Sequence, residues 1–291
     1  MKRILVTGCN GQLGRAIVKE YQNEAVEFIR TDVTKDGGAV ALDITDLQQV
    51  LALAEQTRPD VMINCAAHTG VDACQEQWDS AYRINALGAR NMAIAAAKVG
   101  AKLLHISTDY VFSGEQDTPY TEFDVVGPTG AYGKTKLEGE RFVERFCSHS
   151  FILRTAWLYG EGKNFVKTML RLAGERELVT VVDDQYGTPT SASELAKVIH
   201  FLEPTEHYGT YHATCQGSCS WAEFAEEIFR LAAKETKVKH VTTKEYAQIC
   251  PTTAPRPAYS VLDNYMLRLI GGYEMADWRD AIAEYMAGAS A

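Results

Sequence analysis

The sequence predicts a doubly wound α/β protein, a parallel sheet covered by helices on both faces, with a smaller C-terminal lobe. Three observations predict it. Short apolar runs alternate with longer amphipathic stretches over the first two thirds of the chain. A glycine-rich loop directly follows the first apolar run and opens the first helical stretch. The regular alternation then loosens after about residue 155.

The candidate strands are residues 3–6, 26–29, 61–66, 103–107 and 151–153, each short, apolar and bounded by polar or glycine punctuation. Helical patterns fill the intervals at 12–21, 47–55, 80–99 and 134–146. Beyond 155 come a helix over 165–173, a polar stretch over 182–191 holding Gly187 and Pro189, a helix over 193–201 and a strand over 210–213. A helix over 221–233 follows, with Ser220 as its N-cap and Glu223 completing a capping box. Residues 251–257 hold three prolines and must be irregular, and 278–286 is a last amphipathic helix. The expected division is a dinucleotide-binding part over 1–155 and a mainly substrate-binding lobe over 156–291, with room for segments that return to the sheet.

Composition narrows the function. The 291 residues bury about three quarters of their unfolded surface, so neither metal nor disulfide staples are needed. Apolar residues at 46% and charged residues at 23% argue against disorder. Against 29 basic residues stand 38 acidic ones, and a net charge of −9 disfavours general nucleic-acid binding while leaving room for a local basic pocket. No uncharged apolar run reaches the roughly 18 residues of a membrane span. The opening MKRILVTG is too short and too glycine-limited for a signal peptide, so the expectation is a soluble, cytoplasmic protein. Seven scattered cysteines, an odd number, fit a reducing compartment, and the pair Cys215 and Cys219 lacks the second pair a structural zinc wants.

Three motifs carry the chemistry. The first runs Thr7-Gly8-Cys9-Asn10-Gly11-Gln12-Leu13-Gly14, a GxxGxxG spacing between a strand and a helix. Glycine there permits a tight turn, close backbone approach to a pyrophosphate and close helix–strand packing, and the helix N-terminus offers unpaired N–H groups. A plain tight turn would show the same spacing. Asp32, 18 residues after Gly14, sits where a carboxylate grips the adenosine ribose; it would repel a 2′-phosphate and favour NADH, with Arg30 and Lys35 near enough to soften that preference. Asp43-Ile44 is then placed to flank the adenine. The second motif, Tyr132-Gly133-Lys134-Thr135-Lys136, puts Tyr132 and Lys136 on one helix face, where the ammonium is expected to lower the phenol pKa. Such a tyrosine passes a proton to or from a substrate oxygen while hydride moves on a nicotinamide. The third, Ser107-Thr108-Asp109-Tyr110-Val111-Phe112, ends the fourth strand at the ligand-bearing sheet edge, and Thr108 is the hydroxyl expected to bind the same oxygen.

Together these motifs resemble the extended short-chain dehydrogenase/reductase superfamily, whose fold is Rossmann-like. GCNGQLG, INCAAHTGVD, STDYVFSG, GPTGAYGKTKLEGE, RTAWLYG, FVKTMLRLA, DDQYGTPT and RPAYSVLD are similar, in order and along nearly the whole chain, to the dTDP-4-dehydrorhamnose reductase family. The resemblance implies reduction of the 4-keto group of a dTDP-linked 6-deoxyhexulose with NADPH or NADH, the last step of a cell-envelope sugar pathway. It implies a triad of Thr108, Tyr132 and Lys136, and cofactor contacts at Gly8, Asn10, Gly11, Gln12, Leu13, Gly14, Asp32, Asp43, Ile44, Ala67, His68, Thr69, Tyr132 and Lys136, with Lys136 on the nicotinamide ribose. Asp109 and Trp157 fall on its sugar site. His68 reads equally as a packing residue. Arg256 reads as a partner for the substrate diphosphate or as half of a fold-holding ion pair, and Arg154 is less defined. Some branches hold magnesium between subunits with a carboxylate just after the third motif glycine; here Arg15 and Ala16 stand there, so no metal is expected. The expected partner is a dTDP-sugar, and the chain a monomer or homodimer.

Other members of the superfamily remain as rivals. A 4,6-dehydratase needs a further acid where this chain has Tyr110, after Thr108-Asp109. A 4-epimerase shares the triad, as does a reductase of another deoxysugar. The same fold also serves as the non-catalytic regulatory subunit of a methionine adenosyltransferase.

Overall fold

The computed structural model describes residues 1–251 and 254–289, so positions 252–253 of the proline-rich segment lie outside the described residues. In chain order the elements are β1 (Lys2–Thr7), α1 (Gln12–Glu20), β2 (Val26–Asp32), β3 (Val40–Ala41), α2 (Leu47–Thr57) and β4 (Val61–Asn64). Next come α3 (Val71–Glu76), α4 (Trp78–Tyr82), α5 (Ala89–Val99), β5 (Lys102–Thr108), α6 (Ala131–Phe146) and β6 (Ser150–Thr155). The second half adds β7 (Leu158–Tyr159), α7 (Phe165–Glu175), β8 (Leu178–Val182), β9 (Tyr186–Gly187), β10 (Thr190–Ser191) and α8 (Ala192–Leu202). It closes with β11 (Gly209–His212), β12 (Cys219–Ser220), α9 (Trp221–Leu231), β13 (Lys237–Val241), α10 (Thr243–Ile249), α11 (Tyr265–Ile270) and α12 (Trp278–Ala289).

Seven strands form the main sheet in the order β11-β6-β5-β4-β1-β2-β3, every pair parallel. Strand order reverses between β1 and β4, which opens a crevice beyond their C-terminal ends. Alternate residues of each strand feed opposite faces. Ile4 and Val6 join Ile17 of α1 and Leu195 and Ile199 of α8 on one side; Leu5 joins Val50 of α2 and Met92 and Ala96 of α5 on the other. A separate core, built on Phe224, Ile228 and Trp278, gathers α7, α9 and α12 beside the parallel pair β8–β13. The predicted capping box at Ser220 and Glu223 is formed.

Three features depart from the sequence reading or fill in what it left open. The single helix expected over 80–99 is broken: α4 starts at Trp78, a π-helical turn spans Arg83–Gly88, and only then does α5 run on. The bulge aims Asn85 at the loop after β4, where its Oδ1 accepts the His68 N–H at 2.8 Å and its Nδ2 donates to the His68 carbonyl and the Thr135 hydroxyl. Second, the segments beyond residue 155 that the sequence reading leaves free to return to the sheet are β11 and α8, because β11 pairs with β6 and α8 shares the core of α1. Third, β8 and β13 escaped notice, since Lys237, Lys239 and His240 leave β13 mostly exposed and without an apolar rhythm.

The bulge also fixes how close α6 approaches. A Cβ on Gly139 would stand 2.4 Å from the Asn85 carbonyl oxygen, a backbone atom that cannot swing away. Helix propensity alone favours Gly139→Ala by roughly 0.5–1 kcal/mol. The expected outcome is the opposite, a loss of about 1–3 kcal/mol in urea unfolding from overpacking. An alanine variant as stable as the parent would mean that α6 does not pack at this distance.

Candidate active site

The crevice is a cleft of about 1730 Å³ running along the C-terminal sheet edge into the second lobe. A single small-ligand pocket takes roughly 300–1,000 Å³, so this cleft has room for two ligands side by side.

Glycines shape its floor. Gly8 turns at φ +62°, and a Cβ on Gly14 would lie 2.5 Å from the Gly8 carbonyl oxygen and from Cys9 Cα, so α1 can begin this close to β1 only with hydrogen at position 14. The N-cap of α1 is Gly11, which offers no side chain to the first-turn N–H groups, and Gly11, Gln12 and Leu13 line the cleft. Those donors and the positive end of the helix make a seat for a pyrophosphate. At the tip of β2, Asp32 accepts the Asn10 N–H at 3.1 Å and the Val33 N–H at 2.8 Å, which holds its carboxylate at the cleft rim. Asp43 accepts two hydrogen bonds from Thr45, and Ile44 beside it meets Gly88 of the π-helical turn. Ala67 and Thr69 line the same wall. These residues fit a dinucleotide.

His68 and Arg256 are placed differently. His68 is not part of the lining; its Nδ1 lies 3.2 Å from the Cys74 thiol and its main chain is held by Asn85. Arg256 is also outside the lining and makes the fold-holding pair, with Nη2 at 2.7 Å from Asp72 and Nη1 on the Ala254 carbonyl. The other candidates, from Gly8 to Trp157, face the cleft.

Thr108, Tyr132 and Lys136 meet at its centre. Gly133 makes this possible: a Cβ there would fall 2.0 Å from the Tyr110 carbonyl oxygen, so the first turn of α6 sits directly on the turn that follows β5. Tyr110 then packs edge-on against Tyr132 at 5.6 Å between ring centroids. Thr108 Oγ1 donates to Asp109 Oδ1 at 2.9 Å. Lys136 Nζ donates to the Ile106 carbonyl at 2.5 Å.

Burial dominates the electrostatics here. It pushes Tyr132 well above the ordinary phenol range, opposed by a hydrogen bond with Thr108. The expected lowering by Lys136 is not among the influences on Tyr132, whose shift is set by burial; Lys136 Nζ itself faces the Ile106 carbonyl. Burial also pushes Lys136 down to about 8, held up by the charge of Glu140 and by Cys65. Asp109 is pushed up to about 6 by burial, against the Ser260 and Thr108 hydroxyls. His105, beneath Lys136, is driven well below its ordinary value by burial first and by Lys136 second.

Several cleft residues carried no signal in the sequence reading. Trp221 stacks on Trp157, Asn164 donates to Gln12 Oε1 at 3.0 Å across the two lobes, and Lys163 and Arg83 add cations to the rim. Only the capping box just before Trp221 marked any of them. Among the described residues no group of His, Cys, Asp and Glu could hold a metal ion, and no helix is long and apolar enough to cross a membrane.

The strand order, glycine cradle and cleft define a dinucleotide-binding oxidoreductase of the extended short-chain dehydrogenase/reductase class. Within that class the chain belongs to the family described as RmlD substrate binding domain, whose model matches residues 1–290. It is similar to a solved dTDP-4-dehydrorhamnose reductase from Clostridium acetobutylicum, 50% identical, covering 99% of this chain and 100% of that one with a TM-score of 0.94. A Bacillus anthracis dTDP-4-dehydrorhamnose reductase solved in complex with NADP is 43% identical over 99% of both chains, with a TM-score of 0.91. The spore coat polysaccharide biosynthesis protein SpsK of Bacillus subtilis is 39% identical over 98% of this chain and 97% of its own.

Under the site lies a buried ion pair. Glu140 accepts from Arg154 Nε at 3.0 Å and Nη2 at 2.7 Å and from the Ser107 hydroxyl, and both charged side chains are under a tenth exposed. Arg154→Met leaves a buried carboxylate unpaired and is expected to cost about 3–5 kcal/mol in urea unfolding. The double variant Glu140→Leu/Arg154→Met should recover most of that loss. A double variant as unstable as the single one would show that the pair contributes more than mutual neutralisation.

Proposed function

We propose that this chain reduces the 4-keto group of dTDP-4-dehydro-β-L-rhamnose to give dTDP-β-L-rhamnose, with NADPH or NADH as reductant. The reading rests on one observation: a chain similar from end to end to dTDP-4-dehydrorhamnose reductases brings Thr108, Tyr132 and Lys136 together in its dinucleotide cleft. Residues 1–155 mainly hold the dinucleotide and 156–291 mainly the sugar nucleotide. Seven free thiols support a reducing, cytoplasmic setting.

Bound NAD(P)H supplies the hydride. The α1 N-terminus and its glycines would hold the pyrophosphate, and the Asp32 carboxylate, steadied by the Asn10 N–H, would take ribose hydroxyls. Tyr132 gives its phenolic proton to the C4 oxygen as that oxygen gains charge; its raised pKa keeps it protonated and loaded at neutral pH. Thr108 Oγ1, whose single proton is given to Asp109 Oδ1, orients the same oxygen by turning that proton toward it. Lys136 places positive charge behind Tyr132 and steadies the phenolate left after transfer. Asp109 and Trp157 bound the sugar. The run Thr108-Asp109-Tyr110 has no further carboxyl to expel a C6 hydroxyl, which separates this site from that of a dehydratase.

The test supplies dTDP-glucose with a 4,6-dehydratase and a 3,5-epimerase and follows NADPH and NADH absorbance with and without this protein. Consumption that requires both helper enzymes, with dTDP-rhamnose identified by NMR, is the expected result; clear dinucleotide binding with no consumption would sink it and favour another keto-sugar or a regulatory role.

Tyr132→Phe should lower kcat roughly 10²–10⁴-fold while the dinucleotide Kd stays within a few-fold. Wild-type turnover in that variant would remove Tyr132 from the proton path.

The pH–rate profile carries a second expectation. Lys136 is charged below its pKa of about 8 and neutral above it, so kcat/KM, which reports groups of the free enzyme, should fall as pH rises through that region. A flat profile to pH 10 would show that no charge on Lys136 is needed.

A further inference from the structure

Trp157 has a backbone and a setting that the proton chemistry does not account for. Its φ is +46°, in the left-handed region, which a non-glycine residue keeps only where its surroundings hold it there. Its indole lies flat on Trp221, with 3.5 Å between ring centroids and 8° between planes. Trp221 is itself backed by Phe165 at 4.6 Å and anchored as the first residue of α9 by the Ser220–Glu223 capping box. Ser220 also donates to Asp183 Oδ1 at 2.5 Å.

A second contact comes from the same piece of backbone. A Cβ on Gly187 would stand 2.5–2.7 Å from Cε2, Nε1 and Cζ2 of Trp157, so the Nε1 side of the indole abuts bare main chain. Gly187 lies in β9, which pairs antiparallel with β12, Gly187 opposite Cys219 and Tyr186 opposite Ser220. Trp221 follows β12 directly. One short ribbon of the second lobe therefore supplies both the stacking partner and the edge stop for a single indole. Trp157 and Trp221 both line the cleft that contains Thr108 and Tyr132.

We propose that the β9–β12 ribbon is a positioning device: Trp221 and Gly187 act through Trp157, fixing its indole as a two-tryptophan wall against which the apolar C–H face of a deoxyhexose rests over Tyr132. The inference rests on the reading that Trp157 faces the sugar. Stacked indoles offer a rigid, uncharged wall with little rotamer freedom to lose on binding. A deoxyhexose, lacking a hydroxyl at C6, leaves no polar group stranded against it. Neither Trp221 nor Gly187 is a proton carrier, so their removal acts on sugar binding and not on dinucleotide binding.

The experiment uses the full chain and the coupled assay, with Trp221→Ala, Trp221→Phe and Gly187→Ala, and records near-ultraviolet circular dichroism alongside. Trp221→Ala should raise KM for the keto-sugar nucleotide roughly tenfold, the scale of one lost aromatic pair, with the KM for NADPH unchanged. The stacked-indole signal should disappear with it. Trp221→Phe should restore most of the sugar KM, and Gly187→Ala should raise it by displacing the indole. An unchanged sugar KM in Trp221→Ala, with the indole signal lost, overturns the inference while leaving the reductase reading intact. Equal rises in both KM values with a lower melting temperature overturn it as well, in favour of a fold-holding role. If the wild-type protein turns over no keto-sugar, the functional reading fails and takes the sugar-facing role of the ribbon with it.

Discussion

The buried carboxylate of Glu140 is the point on which the rest of the site depends. It sits on α6 and binds Ser107 at the end of β5 and Arg154 at the end of β6, so one side chain ties a helix to two strands at the edge where ligands enter. Taking that charge out of water is favourable only because Arg154 and Ser107 satisfy it together. Once α6 is fixed at Glu140, geometry follows along one face: Lys136 one turn earlier and Tyr132 a further turn back. The two glycines of that helix face serve the same constraint, since Gly139 admits the Asn85 carbonyl and Gly133 admits the Tyr110 carbonyl. Tyr132 is thus placed by a buried ion pair two turns away, and by hydrogen in place of Cβ at two backbone crossings.

The second lobe completes the cleft and does not merely cover it. Asn164, the N-cap of α7, reaches back to Gln12 in the cofactor loop, and the Tyr285 hydroxyl donates to the Gly160 carbonyl at 2.8 Å, linking α12 to the loop between β7 and α7. The Arg15–Glu161 pair spans the same gap at 3.5 Å, but both side chains are half or more exposed, so water and salt leave it little strength. The partly buried Asn164–Gln12 hydrogen bond is the firmer tie across that gap, while Tyr285 braces the second lobe from within. The strained Trp157 backbone lies at this junction, just after β6 leaves the sheet and just before β7 begins.

What could be read from the sequence alone is what depends on neighbours in sequence. The glycine spacing, the i, i+4 pair of Tyr132 and Lys136 and the capping box at Ser220 are all local patterns whose physics closes within one turn or loop. What is left open or missed has distant partners. Arg256 meets Asp72 across 184 positions, and a guanidinium in a proline-rich loop carries no mark of which anion it will find. The π-helical turn at Arg83–Gly88 answers to the loop holding His68 and to Thr135, neither of which periodicity can report. Likewise β11 joins β6 through main-chain hydrogen bonds, which any short apolar run could make with any exposed strand edge.

The charge state of the site also follows from its burial. Each titratable group at the centre is pushed toward its neutral form: Tyr132 and Asp109 upward, Lys136 downward. The causes are alike, because water has been replaced by Ile106, Ala156 and the aromatic wall around the cleft. A phosphate-bearing ligand adds negative charge, and negative charge raises all three pKa values at once. That shift restores the positive charge of Lys136 and holds the Tyr132 proton more tightly until an oxygen of greater basicity is beside it. A carbonyl oxygen becomes such a base only as it accepts hydride. In the proposed reaction the filled cleft would keep Tyr132 protonated until the carbonyl oxygen gains charge, a coupling that arises from burial and ligand charge.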